Sequence, residues 1–306
     1  MCAEPADAGL AGELARRYDL HVLELRGLDT LVNDVFAVTA AEGAYALKLY
    51  HRARTPAAVE WELDLVDHLH RSGAPVVRPV PGRTGLLQRF PLEGSERIGA
   101  LFSWAPGRKP APAPEVYDRL GAAAAAIHRA ADGFAPSPDR ETYDAALLID
   151  HQLHRMRALL EETGCWAATV ALTDRLRRWL ADPALDRGIC HMDMTLDNVH
   201  VDDAGAITVF DFDSAGPSWR AAEPWGVLRF SAAYFRSWLA GYRAVREFSP
   251  ADEAAVAVFG IVGDLRTVAW QLGVAVSSRG TPLLEVAELP AIVDGWLDWE
   301  ATHLTG

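Results

Sequence analysis

The stretch His191-Met192-Asp193-Met194-Thr195-Leu196-Asp197-Asn198, followed by Val209-Phe210-Asp211-Phe212-Asp213, decides how this chain is read. It sets an Asp, an Asn five residues later, and a second Asp at the end of an apolar strand. The residues between, Val199 to Thr208, alternate in polarity and turn at Asp203-Ala204-Gly205, which predicts a β-hairpin. Such a hairpin brings Asn198 and Asp211 together on one edge. An amide and a carboxylate oxygen side by side suit Mg2+, a hard cation that takes oxygen ligands and keeps phosphates in its shell.

The spacing matches the His-x-Asp-x-x-x-x-Asn loop of protein kinases, with Asp193 as the base and Asn198 and Asp211 as metal ligands. The context departs from theirs: Met192 stands where they have Arg, and the later triplet is Asp-Phe-Asp instead of Asp-Phe-Gly. The run from Cys190 to Pro217 resembles instead the aminoglycoside phosphotransferase family of small-molecule kinases, which includes homoserine and choline kinases and bacterial stress-response kinases. Its usual form is His-Gly-Asp, then Asn after four residues, then Ile-Asp-Phe-Asp/Glu. The resemblance implies an α+β, protein-kinase-like bilobal fold and transfer of the γ-phosphoryl group of ATP to a hydroxyl of a small molecule. GTP is the alternative donor, because hinge backbone contacts choose the base.

Composition narrows the partners. A chain of 306 residues, half of them hydrophobic, can bury a substantial core in one or two domains. A net charge of −13 disfavours nucleic acid or an anionic membrane as partner. No apolar run approaches the ~20 residues of a membrane span, and no signal peptide is visible at Met1-Cys2-Ala3-Glu4-Pro5. Cys2, Cys165 and Cys190 are too scattered for a disulfide framework or zinc site. The expectation is a cytoplasmic enzyme with a small-molecule partner. Basic residues are nearly all Arg; Lys48 and Lys109 are the only lysines, so each asks for a reason.

Along the chain, 21–28, 32–40 and 43–50 read as strands, and Thr55-Pro56 starts a helix that stops at Gly73. Strand-like 85–90 and 97–104 follow. After a proline-rich segment at 106–114 the pattern turns helical over 115–131, 143–162, 169–180, 224–246 and 251–275. The expected division is an N-terminal nucleotide-binding lobe over 1–105 and a C-terminal catalytic and acceptor-binding lobe over 106–306.

In the first lobe, Tyr45-Ala46-Leu47-Lys48 resembles the kinase Val-Ala-Ile-Lys strand. Alternation puts Ala46 and Lys48 on one face, where the alanine leaves room for a flat base and the ammonium reaches phosphates. The partner carboxylate is Glu62: it falls within the apolar stripe of Val59, Leu63, Val66 and Leu69, where an acid needs a charged partner. The segment Phe102-Ser103-Trp104 resembles the family hinge that binds the adenine edge. No Gly-x-Gly-x-x-Gly loop is present; 27–34 occupies its place, and Asn33 followed by Phe36 resembles the family's Asn-x-x-Tyr/Phe loop.

In the second lobe the resemblance makes His191 a scaffold for the catalytic loop and His128 a packing residue that supports it. Asp213 is either a second metal-side acid or a structural acceptor. Glu223-Pro224-Trp225 replaces the family's Asp-Leu-Ala. Trp225, Tyr234, Trp238, Tyr242 and Trp270, with Asp264, line an acceptor pocket or form core, and Arg229 and Arg236 suit a carboxylate-bearing acceptor. Two other functions compete: a Ser/Thr protein kinase of the stress-response type, and a nucleotide-binding module without turnover.

Overall fold

The computed structural model describes residues 5–92, 95–135, 140–273 and 283–304. They fall into two compact units. The first holds Met1–Pro110, Gly133–Arg140 and Asp197–Asp213; the second holds Ala111–Asp132, Glu141–Leu196 and Ser214–Gly306.

The first unit begins with a helix the sequence reading did not anticipate, α1 (Pro5–Tyr18). A six-stranded sheet follows, made of β1 (Val22–Leu28), β2 (Asp34–Ala40), β3 (Gly43–Leu49), β4 (Pro79–Val80), β5 (Gln88–Leu92) and β6 (Ser95–Ser103). The order is β1-β2-β3-β6-β4, with β5 on β6, and every pairing is antiparallel. Period-two alternation divides β3 between two environments. Leu47 and Leu49 join Leu10 and Leu14 of α1, Val38, Phe90 and Leu101 in a closed apolar cluster. Ala46 and Lys48 take the other face. Each fully buried leucine in that cluster contributes about 1.5–3 kcal/mol, so β3 is fixed in register, and Lys48 with it.

The β2–β3 turn closes on Gly43, whose φ of +146° is disfavoured for side-chain-bearing residues. The helix after β3, α2 (Pro56–Arg71), starts as expected: Thr55 accepts from the Ala58 amide at 3.3 Å and Pro56 opens the first turn. It presents Val59, Leu63, Val66 and Leu69 inward, with Glu62 buried among them. The strand expected from 85 begins at Gln88, because a turn at Gly82–Gly85 holds the chain back and the Gln88 side chain donates to the Gly85 carbonyl at 2.7 Å.

The predicted hairpin is present as Val199–Val201 paired with Ile207–Val209. It is stitched into the first unit on both sides. The Val77 amide donates to the Val209 carbonyl and the Val209 amide to the Pro75 carbonyl, and Arg108 and Val201 bond each other twice. Gly107 makes the second junction possible: with φ +83°, it lies so close that a Cβ would come 2.0 Å from the Val201 carbonyl oxygen.

The second unit is mainly helical: α3 (Pro114–Ala131), α4 (His151–Glu162), α5 (Trp166–Leu180), α6 (Trp225–Phe230), α7 (Ala232–Arg243), α8 (Pro250–Gly273) and α9 (Leu289–His303). The expected helix from 143 starts as a π-turn at Ala146–Asp150. The expected helix over 224–246 is two helices, because Ser231 adopts an extended backbone and caps α7 through the Tyr234 amide. Gly121 and Gly241 let α3 and α7 meet backbone to backbone. By length and composition α8 could cross a membrane, yet most of its apolar stretch is buried inside the protein. The last two residues of the helix expected over 251–275 lie outside the described residues, as does Cys2. A short antiparallel pair, Arg187–Cys190 with Gly216–Trp219, ends beside His191 and so fixes where the Asp193 segment begins.

Candidate active site

In the first unit a cavity of about 480 Å³ is lined by Ala46, Lys48, Glu62, Phe102, Ser103, Trp104, Asn198 and Asp211, among others. These eight, the residues the sequence reading assigned to nucleotide binding and to the metal pair, thus lie on one wall system. Lys109 is there too, 3.2 Å from Asp197, so both lysines of the chain line this one cavity.

Lys48 is the centre of its charge. The side chain is 7% exposed, and Nζ donates to Glu62 Oε1 at 3.2 Å, to Asp211 Oδ1 at 2.7 Å and to Asp213 Oδ1. Burial works against the ammonium, but the three carboxylates outweigh it and raise its pKa well above the usual lysine range. Glu62 shows the converse. Burial pushes its carboxyl up to about 7, only partly offset by Lys48. Tyr50 adds a hydrogen bond to Glu62 Oε1 at 3.1 Å. An acid inside an apolar helix stripe is thereby explained by its partner, as the position of Glu62 implied.

Asp213 is held by several donors. Asn33 Nδ2 donates to its Oδ2 at 2.6 Å, Lys48 holds its Oδ1, Arg54 lies 3.6 Å from its carboxylate, and Arg54 and Arg140 donate to its carbonyl. Despite burial, these cations and the amide hold its carboxyl well below the usual range. Asn33 also accepts from the His51 amide at 3.0 Å, so it ties the loop before β2 to Asp213. Asn198 and Asp211 flank the hairpin, and the Asn198 carbonyl accepts from the Phe210 amide at 3.0 Å. Asp211 itself has φ +65°, a left-handed conformation that Asp tolerates better than most residues.

The Asp193 segment belongs to the second unit. Asp193 is exposed, while His191 and Met192 are buried. Glu223 supports the segment from below: Oε2 accepts from the His191 amide at 2.7 Å and Oε1 from the Met192 amide at 2.9 Å. His128 Nε2 donates to Glu223 at 3.0 Å, and its Nδ1 lies 2.9 Å from the Tyr242 hydroxyl. Burial depresses the His128 pKa and leaves the ring neutral. Burial also opposes the Glu223 anion, but the hydrogen bonds from His128 and the amides prevail and hold its pKa below the usual range. His128, Cys190 and Glu223 offer three ligand atoms within 4.8 Å of one another. Both Glu223 oxygens and both His128 nitrogens are already committed to hydrogen bonds, so this cluster works as a scaffold.

Glu223 was left without a role by sequence reasoning, and the departure from Asp-Leu-Ala was the signal that could have found it. A second network, the buried Arg220 and the part-exposed Arg246 with Asp132 and Asp186, was missed outright. Of the aromatic set on the late helices, Trp238 and Tyr242 are core. Arg229 is committed to Asp264 and lies 4.7 Å from the Trp299 ring centre.

The sequence model of the phosphotransferase enzyme family matches residues 26–259, which include all the residues just placed in the cavity and in the Asp193 segment. The chain belongs to this family. Among curated relatives, an uncharacterized protein of Deinococcus radiodurans is 35% identical over 222 residues, 71% of this chain and 64% of that protein. A homoserine kinase of Acidiphilium cryptum is 31% identical over 273 residues, 83% of this chain and 82% of the relative. Among solved structures, a microcompartment-associated aminopropanol kinase aligns over 96% of this chain and 95% of its own, with TM-score 0.74 and 23% identity. The amicoumacin kinase hAmiN, in complex with AMP-PNP, Ca2+ and Ami, aligns over 97% and 93%, with TM-score 0.76 and 19% identity. These likenesses show a protein-kinase-like α+β fold. The family member described here is a phosphotransferase, a kinase acting on a hydroxyl acceptor.

Proposed function

We propose that this kinase transfers the γ-phosphoryl group of ATP to the hydroxyl of a small amino alcohol or hydroxy amino acid, in the cytoplasm. The observation that carries the nucleotide half is the Lys48 cluster, a buried ammonium fixed by Glu62 and Asp211 on the wall of a cavity of about 480 Å³. Ala46 and the Phe102-Ser103-Trp104 segment would hold the base, with GTP as the other donor to test, and Lys48 would meet the phosphates. The acceptor class rests on the homoserine kinase relatives and the aminopropanol kinase neighbour. In this division of labour residues 1–105 would hold the base and phosphates, and 106–306 would supply the metal pair, Asp193 and the acceptor pocket.

The donor set suits Mg2+. Asn198 and Asp211 are hard oxygen donors on the same cavity wall, and no thiolate or imidazole competes in that pair. Bound there, the cation supplies neutralisation of phosphate charge. Phosphoryl transfer is loose, so Asp193 does most by orienting the acceptor hydroxyl and taking its proton late, and Lys48 by fixing the phosphates. Glu62 keeps Lys48 from swinging free, and Glu223 keeps the segment bearing Asp193 in place.

The test is ADP release with Mg-ATP across homoserine, aminopropanol, choline, aminoglycosides, sugars, nucleosides and a protein substrate. Asp193→Ala is the control. Acceptor-dependent release with an amino alcohol or hydroxy amino acid, lost in the variant while nucleotide still binds, is expected. Release only with the protein substrate would overturn the acceptor class, and undiminished turnover in Asp193→Ala would overturn the base.

A further inference from the structure

Met192 carries φ +63°, a left-handed backbone that glycine adopts freely and a side-chain-bearing residue adopts only under constraint. Both peptide units of this residue are held by charged groups. On the amino side, Glu223 accepts from the Met192 amide at 2.9 Å. On the carboxyl side, Arg266 Nη1 donates to the Met192 carbonyl at 3.3 Å. The same guanidinium donates through Nη2 to Ser214 Oγ at 3.2 Å and lies 5.2 Å from the Tyr143 ring centre. Arg266 sits in α8, a helix anchored by a run of buried apolar residues on either side of it. It therefore joins two loops through one planar fork, the loop ending at Asp193 and the loop that leaves Asp211-Phe212-Asp213. It also lies beyond the residues 26–259 that the family match covers.

We infer that Arg266 is a positioning residue that holds Met192 in its left-handed conformation and thereby aims Asp193. The inference rests on reading Asp193 as the base. The constraint is needed because residue 192 has a side chain: glycine would hold the same φ without an external clamp. The carbonyl of Met192 belongs to the peptide whose other end is the Asp193 amide, so rotation of that peptide turns the Asp193 side chain with it. A guanidinium on that carbonyl opposes the rotation. Arginine suits the task better than lysine, since a fork can hold the carbonyl and Ser214 at once.

A double-mutant cycle tests this with wild type, Arg266→Met, Met192→Gly and the combined variant, and with Arg266→Lys beside them. In the wild-type background Arg266→Met is expected to lower kcat by about tenfold, as the charge-assisted hydrogen bond to the Met192 carbonyl is lost. The ATP KM is expected to stay within about twofold, since neither residue lines the nucleotide cavity. In the Met192→Gly background the same substitution is expected to change kcat by less than about twofold, and Arg266→Lys in the wild type should fall between. An equal loss in both backgrounds would overturn the inference and make Arg266 a contact to acceptor or phosphate; no loss in the wild type would also overturn it. The same cycle read in urea unfolding midpoints needs no catalysis. If Asp193→Ala turned over normally, the base assignment would fall, while coupling of the two sites in the midpoints would still report the clamp. Additive midpoints would refute it.

Discussion

Replacing Glu62 by Gln should make the protein more stable and less active, and the gain in stability should grow with pH. The carboxyl of Glu62 is buried, and its folded pKa of about 7 lies above the ordinary 4.5. Between those values the folded state binds more proton than the unfolded state, so stability falls as pH rises from about 4.5 to 7 and is level above that. At about 1.4 kcal/mol per pKa unit, keeping Glu62 ionised costs the fold about 3 kcal/mol by pH 8. Glutamine has the same shape, and its carbonyl can still accept from Lys48 and from the Tyr50 hydroxyl, while Lys48 keeps Asp211 and Asp213. The difference between Glu62→Gln and wild type should be small at pH 5 and reach about 3 kcal/mol in favour of Gln at pH 8, a shift of about 2–4 °C in Tm per kcal/mol. The depressed pKa of His128 contributes in the opposite sense, with stability rising as pH approaches its ordinary 6.5. It is common to both proteins and cancels in the difference. The assay is urea or thermal unfolding of both proteins at pH 5, 6, 7 and 8, beside kcat/KM for ATP, which should drop about tenfold as Lys48 loses one charged restraint. A difference that is flat with pH, or that favours the wild type at pH 8, would refute the claim that Glu62 is retained against its own burial cost.

Three further expectations follow from the same geometry. Glu223→Gln leaves one acceptor for two amides and a His128 proton, so kcat should fall at least tenfold and stability by about 2–3 kcal/mol, read by turnover and urea midpoint. Gly107→Ala should destabilise by more than about 3 kcal/mol, because φ +83° is combined with a Cβ 2.0 Å from the Val201 oxygen; Gly73→Ala, at φ +78° with open space around it, should cost only about 1 kcal/mol. Asp211→Asn should raise the Mg2+ concentration needed for half-maximal turnover by about tenfold or more, and an unchanged metal titration would remove Asp211 from the metal site.

The sequence determined a good deal because some chemistry is local. Asn198 and Asp211 are separated by a hairpin whose turn residues and alternation are legible in twenty residues, so their juxtaposition could be derived before any coordinates. Lys48 announced itself by scarcity and by strand alternation, and Glu62 by being an acid in an apolar stripe. These are statements about period and cost, which a linear chain carries. Only the tertiary structure decided what depends on distant backbone. The partners of Asp213, among them Asn33, Lys48 and Arg54, come from distant parts of the chain. Glu223 gained its role from amides at 191 and 192 and a histidine at 128, and an amide leaves no mark in a sequence. The left-handed turn at Met192 is likewise invisible in the residue type, which argues against it. That conformation is stabilised by partners from other elements, and such partners are chosen by packing.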